Sequence, residues 1–220
     1  MVPFAGLLAA LQGIPDPRRR QGRRYGLAHL LLFSVLAVLA GATSYRRIRL
    51  FIGVHRERLN ATFDARFRRA PAVDTLRALL HALDPAELEA AFRRHAERLD
   101  DVPTSPGLRV VALDGKTLRG SHADGESAVQ LVAAFAQPAQ AVLGQVATDG
   151  PGHELAAVKR LLTQVPLGGR LVTGDALQTQ REVCQLILDG RGDYLLPVDE
   201  NQPSLVAELE AAFSPLAGDG

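Results

Sequence analysis

The chain has 220 residues, of which 47% are hydrophobic, and it carries a formal net charge of +1. This length and apolar content allow one large or two small domains with hydrophobic cores, and they exclude a chain that is disordered throughout. A single cysteine, Cys184, excludes an internal disulfide framework and is typical of the reducing cytosol, so we expect a cytoplasmic protein.

The small net charge conceals two halves of opposite sign. Residues 1–100 contain 17 arginines and nine acidic residues, whereas residues 101–220 contain eight lysines and arginines and 15 acidic residues. A basic half is typical of a domain that binds a polyanion, and an acidic half is typical of one that binds metal ions. The charge balance changes at residues 101–107, which include two prolines and are predicted to be a linker between two domains.

Residues 1–100 show helical periodicity. A short apolar turn at 7–11 ends before Pro15 and Pro17, and a basic loop follows at 18–24. The uncharged run from Tyr25 to Ala42 is either a buried core helix or a membrane span. Arginines flank both of its ends and give no orienting asymmetry, which favours the core helix.

Three more helices are predicted in this half. The first is capped by Thr43 or Ser44, the second starts at Asp74, and the third runs from the cap at Asp84 to about Leu99. Together these patterns predict a helical domain over residues 1–100.

The periodicity becomes alternating after residue 107. We predict strands at 108–114, 128–136 and 141–148, a helix at 153–164, a strand at 170–175, a helix opened by a capping box of Thr179 and Glu182, a strand at 193–198 and a helix at 204–213. This is the element order of a ribonuclease-H-like α/β domain. The predicted fold is therefore a helical domain followed, at 108–220, by an incomplete ribonuclease-H-like mixed sheet with flanking helices.

Two aspartates, Asp114 and Asp175, each close one of the apolar runs. Each alone has a structural interpretation, because Asp114-Gly115 is a favoured hairpin turn and Asp175 precedes a helix. As a pair they end strands of the same predicted sheet, where two like charges need a cation. Two divalent metals about 3.5–4 Å apart clamp the attacking and leaving oxygens in phosphoryl transfer. The pair therefore indicates a metal-dependent nuclease or transposase.

Candidate contacts to DNA phosphates lie in both halves. Lys116 and Arg119 follow the first aspartate closely, and they either hold a phosphate beside the metals or are solvated turn residues. In the helical half the candidates are the arginines of the basic loop, with a solvated loop as the alternative: Arg18, Arg19, Arg20, Arg23 and Arg24.

Seven sequence blocks occur in the order found in one known family. They lie at residues 14–19, 39–45, 112–121, 142–145, 173–180, 193–196 and 201–203. Together they resemble the H-repeat-associated transposases of insertion sequences, a branch of the DDE transposases, over essentially the whole chain. The resemblance implies metal-dependent DNA cleavage and strand transfer, with Mg²⁺ or Mn²⁺ bound by Asp114 and Asp175 as the first two members of the catalytic triad.

The same resemblance implies the domains and partners. Residues 1–100 match the associated N-terminal domain of the family, and residues 108–220 match the front of its catalytic domain. DNA, as transposon ends and target, is the implied ligand, and a second copy or an intact transposase is the implied protein partner. The implied location is the cytoplasm, at the nucleoid, and no membrane is involved.

The chain departs from the family pattern at several positions. Gln178 stands where members usually place a histidine, and the third acidic ligand belongs to a region beyond residues 201–203. The third ligand is therefore unknown, with Glu200, Glu208 and Glu210 as the late acidic residues. We expect a truncated, catalytically inactive copy. The alternatives are a non-catalytic DNA-binding remnant that regulates an intact transposase, and a ribonuclease-H-like nuclease.

Overall fold

The computed structural model describes residues 4–100, 108–118, 121, 128–137, 139–150 and 152–213. The chain divides into two units, Met1–Arg98 and Leu99–Gly220. The predicted linker at 101–107 lies outside the described residues.

The first unit is helical. Ser44 caps its third helix by accepting a hydrogen bond from the Arg47 amide at 3.3 Å, and Asp84 accepts one from the Ala86 amide at 2.9 Å at the start of the fifth. Both caps agree with the sequence-based predictions. The helices are α1 (Ala5–Leu11), α2 (Leu27–Leu39), α3 (Tyr45–Phe63), α4 (Val73–Ala82) and α5 (Pro85–Asp100), with a 3₁₀ turn at Arg20–Gly22 between α1 and α2. The last two residues of α5, Leu99 and Asp100, belong to the second unit.

Helix α2 forms the centre of this unit. Leu30, Leu32 and Phe33 are fully buried, and the ring of Phe33 packs against Phe63 and Phe67. Burial of these apolar side chains is the main force that holds the helices together. None of the helices in the described residues is long and apolar enough to cross a membrane.

The second unit is built on one five-stranded sheet, in the order β3-β2-β1-β4-β5. Strands β1, β2 and β3 pair antiparallel, whereas β4 pairs parallel with both β1 and β5. This arrangement confirms the predicted ribonuclease-H-like class. The elements are β1 (Val110–Thr117), β2 (Gln130–Ala136), β3 (Ala141–Ala147), α6 (Glu154–Leu162), β4 (Leu171–Thr173), α7 (Arg181–Asp189), β5 (Asp193–Leu195) and α8 (Pro203–Phe213).

One face of the sheet is buried. Val111 and Leu113 of β1 and Val132 of β2 lie on it, α6 packs against β2 and β3, and α7 packs against β5. Because side chains alternate along a strand, Asp114 lies on the opposite face, and its side chain is 54% exposed. The alternation therefore places the first aspartate away from α6.

A buried carboxylate joins the residues that precede β1 and β4. Asp100 accepts hydrogen bonds from Arg109 at 2.6 Å and from Arg170 at 2.5 Å, and the Asp100 side chain is only 2% exposed. The Leu171 amide also donates to the Arg109 carbonyl at 2.9 Å. These bonds link the residues that lie immediately N-terminal to the two parallel strands.

Several local predictions were wrong, one of which is the strand predicted at 170–175: it covers Leu171–Thr173 and ends before Asp175. Strand β1 does not end at Asp114, because its pairing with β2 continues to Thr117, so Asp114-Gly115 is not a hairpin turn. The last strand ends at Leu195 rather than 198. The capping box is absent at α7, because the Thr179 hydroxyl donates to the Pro197 carbonyl at 2.6 Å and Gln180 occupies the cap position.

Candidate active site

Strand register brings Asp114 and Asp175 to equivalent positions. In the parallel pair β1–β4, Val110 lies opposite Leu171 and Ala112 lies opposite Thr173. Each aspartate follows the last of these pairs by two residues, and the backbone of Asp175 is still extended (φ −88°, ψ 174°). Two residues along adjacent strands return to the same face of the sheet. The register therefore puts Asp114 and Asp175 at equivalent positions along two adjacent strands, and the alternation of side chains puts them on one face of the sheet.

The Asp114 carboxylate already has a cationic neighbour. The ammonium of Lys116 lies 2.5 Å from Oδ2 of Asp114, because residues two apart on a strand share a face. Both side chains are more than half exposed, so solvent weakens the pair. Lys116, a predicted phosphate contact, is therefore placed directly beside the first aspartate.

The Asp175 carboxylate supports the 3₁₀ turn Ala176–Gln178. Its Oδ1 accepts a hydrogen bond from the backbone N–H of Gln178 at 3.2 Å. A carboxylate has about four acceptor sites, so this cap leaves capacity for a metal ion or another donor. The structural and metal-binding interpretations of Asp175 are thus compatible.

A buried amide beside Asp175 was missed by reasoning from the sequence. The side chain of Gln178 is 1% exposed, and neither its Oε1 nor its Nε2 has a hydrogen-bond partner among the described residues. It packs against Gly174, where any Cβ would overlap the amide. The glycine before Asp175 was the available signal, since a strand glycine often marks a close approach.

A second acidic residue touches β1 from the buried side. The carboxylate of Glu154, in the first turn of α6, lies against Gly115, so a Cβ there would overlap it. Gly115 and Asp114 alternate on the strand, so Glu154 approaches from the face opposite the Asp114 side chain. Among the described residues, no three acidic, histidine or cysteine side chains form a group that could hold a metal ion.

The loop arginines fall into different environments. Arg18 donates to Asp16 through Nε and Nη2, both at 2.9 Å, and Arg23 Nη2 donates to the Asp16 carbonyl at 3.1 Å. The Arg18 hydrogen bond holds the pKa of the Asp16 carboxyl below its ordinary value. Arg24 instead lines an open cleft of the first unit.

The other predicted DNA contacts have less structural context. Arg19 and Arg20 are exposed on the loop. Arg119, which was predicted to contact a phosphate together with Lys116, lies outside the described residues. All of these assignments to DNA remain predictions.

Comparison with known proteins assigns both parts of the chain. A family profile described as DDE_Tnp_1-associated matches residues 8–96, and one described as Transposase DDE domain matches residues 105–210. A cryo-EM structure of a piggyBac transposase synaptic complex with hairpin DNA aligns with 96% of this chain and 52% of that chain, at 12% identity and a TM-score of 0.43.

Relatives from Escherichia coli (strain K12) match along most of the chain. The putative transposase YncI is 31% identical over 211 residues, which is 94% of this chain and 83% of YncI. The H repeat-associated putative transposase YhhI is 29% identical over 209 residues, which is 94% of this chain and 54% of YhhI. The chain spans about half the length of several curated relatives that it matches. With both profiles matched in order and these relatives aligned over 94% of its residues, the chain belongs to the H repeat-associated family of DDE insertion-sequence transposases.

Proposed function

We propose that this chain acts in the transposition of an insertion sequence, and that Asp114 and Asp175 provide its carboxylates for a divalent metal ion, Mg²⁺ or Mn²⁺. The match to the Transposase DDE domain implies dependence on a divalent metal in general. The observation that supports the assignment of these two residues is their register, two positions beyond the last β1–β4 pair in each strand.

The side chains at these two strand positions suit such an ion. Exposed carboxylate oxygens are the ligands that Mg²⁺ and Mn²⁺ prefer, and Mg²⁺ retains several waters, so two protein carboxylates can hold it. The Lys116 ammonium beside Asp114 supports this proposal, since it is a cation next to the same carboxylate. When bound, the metal would activate water and neutralise charge that develops on the phosphate.

The protein side chains would position the DNA strand. Lys116 lies on the same face as Asp114, so its ammonium is placed to meet a phosphate that approaches the carboxylates. The backbone N–H of Gln178 donates to Oδ1 of Asp175 and so orients the second oxygen of that carboxylate. The proposal includes DNA ends and target as substrates, a second copy or an intact transposase as protein partner, and the nucleoid of the cytoplasm as the location.

Metal binding tests the assignment of the two aspartates. We would titrate the chain with Mn²⁺ by calorimetry and compare Asp114→Asn and Asp175→Asn with the control Asp193→Asn. Asp193 is an exposed aspartate of the same sheet, but it pairs with Leu171 at the start of β4, away from the site. Each site substitution should weaken Mn²⁺ binding on the order of tenfold or more. Equal affinity in all four proteins would contradict the assignment.

Activity tests the reaction. The substrate is DNA that carries the ends of the insertion sequence encoding the chain, incubated with Mg²⁺ or Mn²⁺. Cleavage and joining that are lost in Asp114→Asn and Asp175→Asn but retained in Asp193→Asn would support transposition. Cleavage without joining would identify a nuclease of the same fold, and DNA binding without metal binding would identify the non-catalytic alternative.

A further inference from the structure

The first unit contains an open cleft lined mainly by arginines. Its larger part has a volume of about 370 Å³ and is lined by Arg24, Tyr25, Arg66, Arg68 and Arg69. An adjoining part shares Arg24, Tyr25 and Arg69 and adds Arg49 of α3. We call this feature, with its five arginines around Tyr25, the arginine cleft.

One wall of the arginine cleft is the segment that follows α3. Ala65 and Phe67 are buried, whereas Arg66, Arg68 and Arg69 are exposed, so the segment alternates as an extended strand does. The side chain of Asn60 holds its backbone with two hydrogen bonds to Phe67, at 3.0 and 3.1 Å. A fixed backbone reduces the entropy that the arginines lose when they bind a ligand.

Further contacts connect this wall to α3 and to Tyr25, which lies next to Arg24 on the opposite side of the cleft. Arg56 donates to the Arg68 carbonyl at 3.0 Å. The ring of Tyr25 packs on Phe67 with centroids 4.8 Å apart, and its hydroxyl donates to the Ala70 carbonyl at 3.5 Å. Arg24 is therefore held next to the segment from which Arg66 and Arg68 project.

The loop before Tyr25 is held by its own ion pair. Arg18 donates to the Tyr25 carbonyl at 2.8 Å while it is paired with Asp16, and its side chain is only 11% exposed. Arg23 donates to the Arg18 carbonyl at 2.9 Å. Arg18 and Arg23 therefore form hydrogen bonds within the loop, and these bonds hold the backbone on both sides of Arg24.

The charge of the arginine cleft is not balanced within the described residues. None of the five arginines that line it has a carboxylate partner within salt-bridge distance in that part of the chain. Like charges gathered around one opening repel each other unless an anion lies between them. Guanidinium groups bind phosphate oxygens with paired hydrogen bonds, and five of them around an open cleft suit a row of phosphates.

We propose that the arginine cleft binds the sugar–phosphate backbone of DNA, and that Arg18 and Arg23 hold the loop in place and do not contact the ligand. This rests on the proposed function in taking DNA as the ligand, and it assigns the contact to Arg24, Arg49, Arg66, Arg68 and Arg69. Of these five residues only Arg24 lies in the basic loop at 18–24.

The test measures binding of the whole chain to a short fluorescent duplex of arbitrary sequence, with EDTA present so that metal binding plays no part. The cleft variant combines Arg66→Gln, Arg68→Gln and Arg69→Gln. The control combines three substitutions of exposed α3 arginines that do not line the cleft and removes the same charge: Arg46→Gln, Arg47→Gln and Arg58→Gln. Circular dichroism would confirm that both variants retain their helices.

We expect the cleft variant to differ from the unaltered chain in how its DNA affinity depends on salt. Between about 50 and 200 mM salt, the cleft variant should show a slope of log affinity against log salt that is smaller in magnitude by about 2–3, because three phosphate contacts are lost. Its affinity at low salt should fall on the order of a hundredfold or more, whereas the control should fall several-fold. The single change Arg24→Gln should weaken binding more than Arg19→Gln.

The outcomes separate this proposal from the proposed function. Equal losses in the cleft variant and the control would overturn the arginine cleft as a site while leaving DNA as the ligand. Failure of the unaltered chain to bind DNA at low salt would overturn both. Tighter binding to anionic lipid vesicles than to DNA, lost in the cleft variant, would overturn DNA as the occupant.

Discussion

At the scale of single residues, the site depends on the glycines next to its aspartates. Gly115 accommodates the Glu154 carboxylate, and Gly174 accommodates the buried Gln178 amide. Neither glycine has a positive φ, so each is required for space and not for backbone conformation. A side chain at either position would displace a neighbour that packs against the residue next to an aspartate.

Replacing Gly174 should therefore destabilise the second unit. We expect Gly174→Ala to lower the free energy of unfolding by about 1–3 kcal/mol, because Gln178 is enclosed and cannot swing into solvent. The control is Gly168→Ala, where the nearest atom to a new Cβ is 3.8 Å away. Urea denaturation would measure both. A loss no larger in Gly174→Ala than in Gly168→Ala would show that Gln178 can move aside.

At the scale of elements, we expect the register of β1 and β4 to depend on Asp100. This carboxylate is shared by Arg109 and Arg170, which directly precede the two strands, and Arg170 is buried with it. Since breaking a buried ion pair typically costs about 3–5 kcal/mol, we expect Asp100→Asn to lower the free energy of unfolding by that order. The same substitution should weaken Mn²⁺ binding at the far ends of the strands.

An exposed pair of the same unit provides the control for this prediction. Asp149 and Arg160 are 64% and 44% exposed, so Asp149→Asn should change the free energy of unfolding by about 0–1 kcal/mol. If Asp100→Asn proved as mild as Asp149→Asn in urea denaturation, the buried pair would not be what fixes the register.

The loop beside the arginine cleft should loosen in acid. The Arg18 hydrogen bond lowers the pKa of Asp16 in the folded protein, so the unfolded chain binds the proton more readily. The stability that Asp16 contributes is complete above its ordinary pKa of 3.8 and is lost as the pH falls through the lower, folded value. Thermal unfolding between pH 5 and 2 would measure this loss as a steep fall in melting temperature.

Two variants isolate that effect. Asp16→Asn should flatten the acid dependence, whereas Asp74→Asn, at an aspartate whose side chain is 93% exposed, should leave it as steep as in the unaltered chain. Identical acid profiles for the unaltered chain and Asp16→Asn would mean that the Asp16–Arg18 pair does not hold the loop.

The elements were predictable from the sequence where local chemistry decides them. Ser44 and Asp84 cap their helices with hydrogen bonds to amides two or three residues ahead, as predicted. The pattern failed where a distant segment decides: Thr179 donates to Pro197, and pairing with β2 carries β1 past Asp114. The arginine cleft was not predictable for the same reason, because Arg24 and Arg66 line one cleft through contacts between distant segments of the chain, such as Tyr25 with Phe67.

At the scale of the whole molecule, the opposite charges of the two halves should correspond to separate binding functions. We expect the combined Arg66, Arg68 and Arg69 variant to keep its Mn²⁺ affinity within about twofold, because each site is formed by residues of one unit and exposed charges are screened at physiological salt. Asp114→Asn and Asp175→Asn should keep their duplex affinity in EDTA to the same extent. Calorimetry and fluorescence anisotropy would check the two statements in parallel, and loss of both ligands in any one variant would contradict them.

The dependence of the two aspartates on strand register has a consequence for how such a chain tolerates insertions and deletions. The connections between strands can lengthen or shorten without moving either carboxylate, since neither the β1–β4 pairing nor the two-residue step after it depends on them. Deletion of Gly174 alone would turn the second carboxylate to the other face of the sheet, because strand side chains alternate. Among distant relatives, gaps should therefore gather in the β1–β2 and β2–β3 connections and be rare within a few residues of either aspartate.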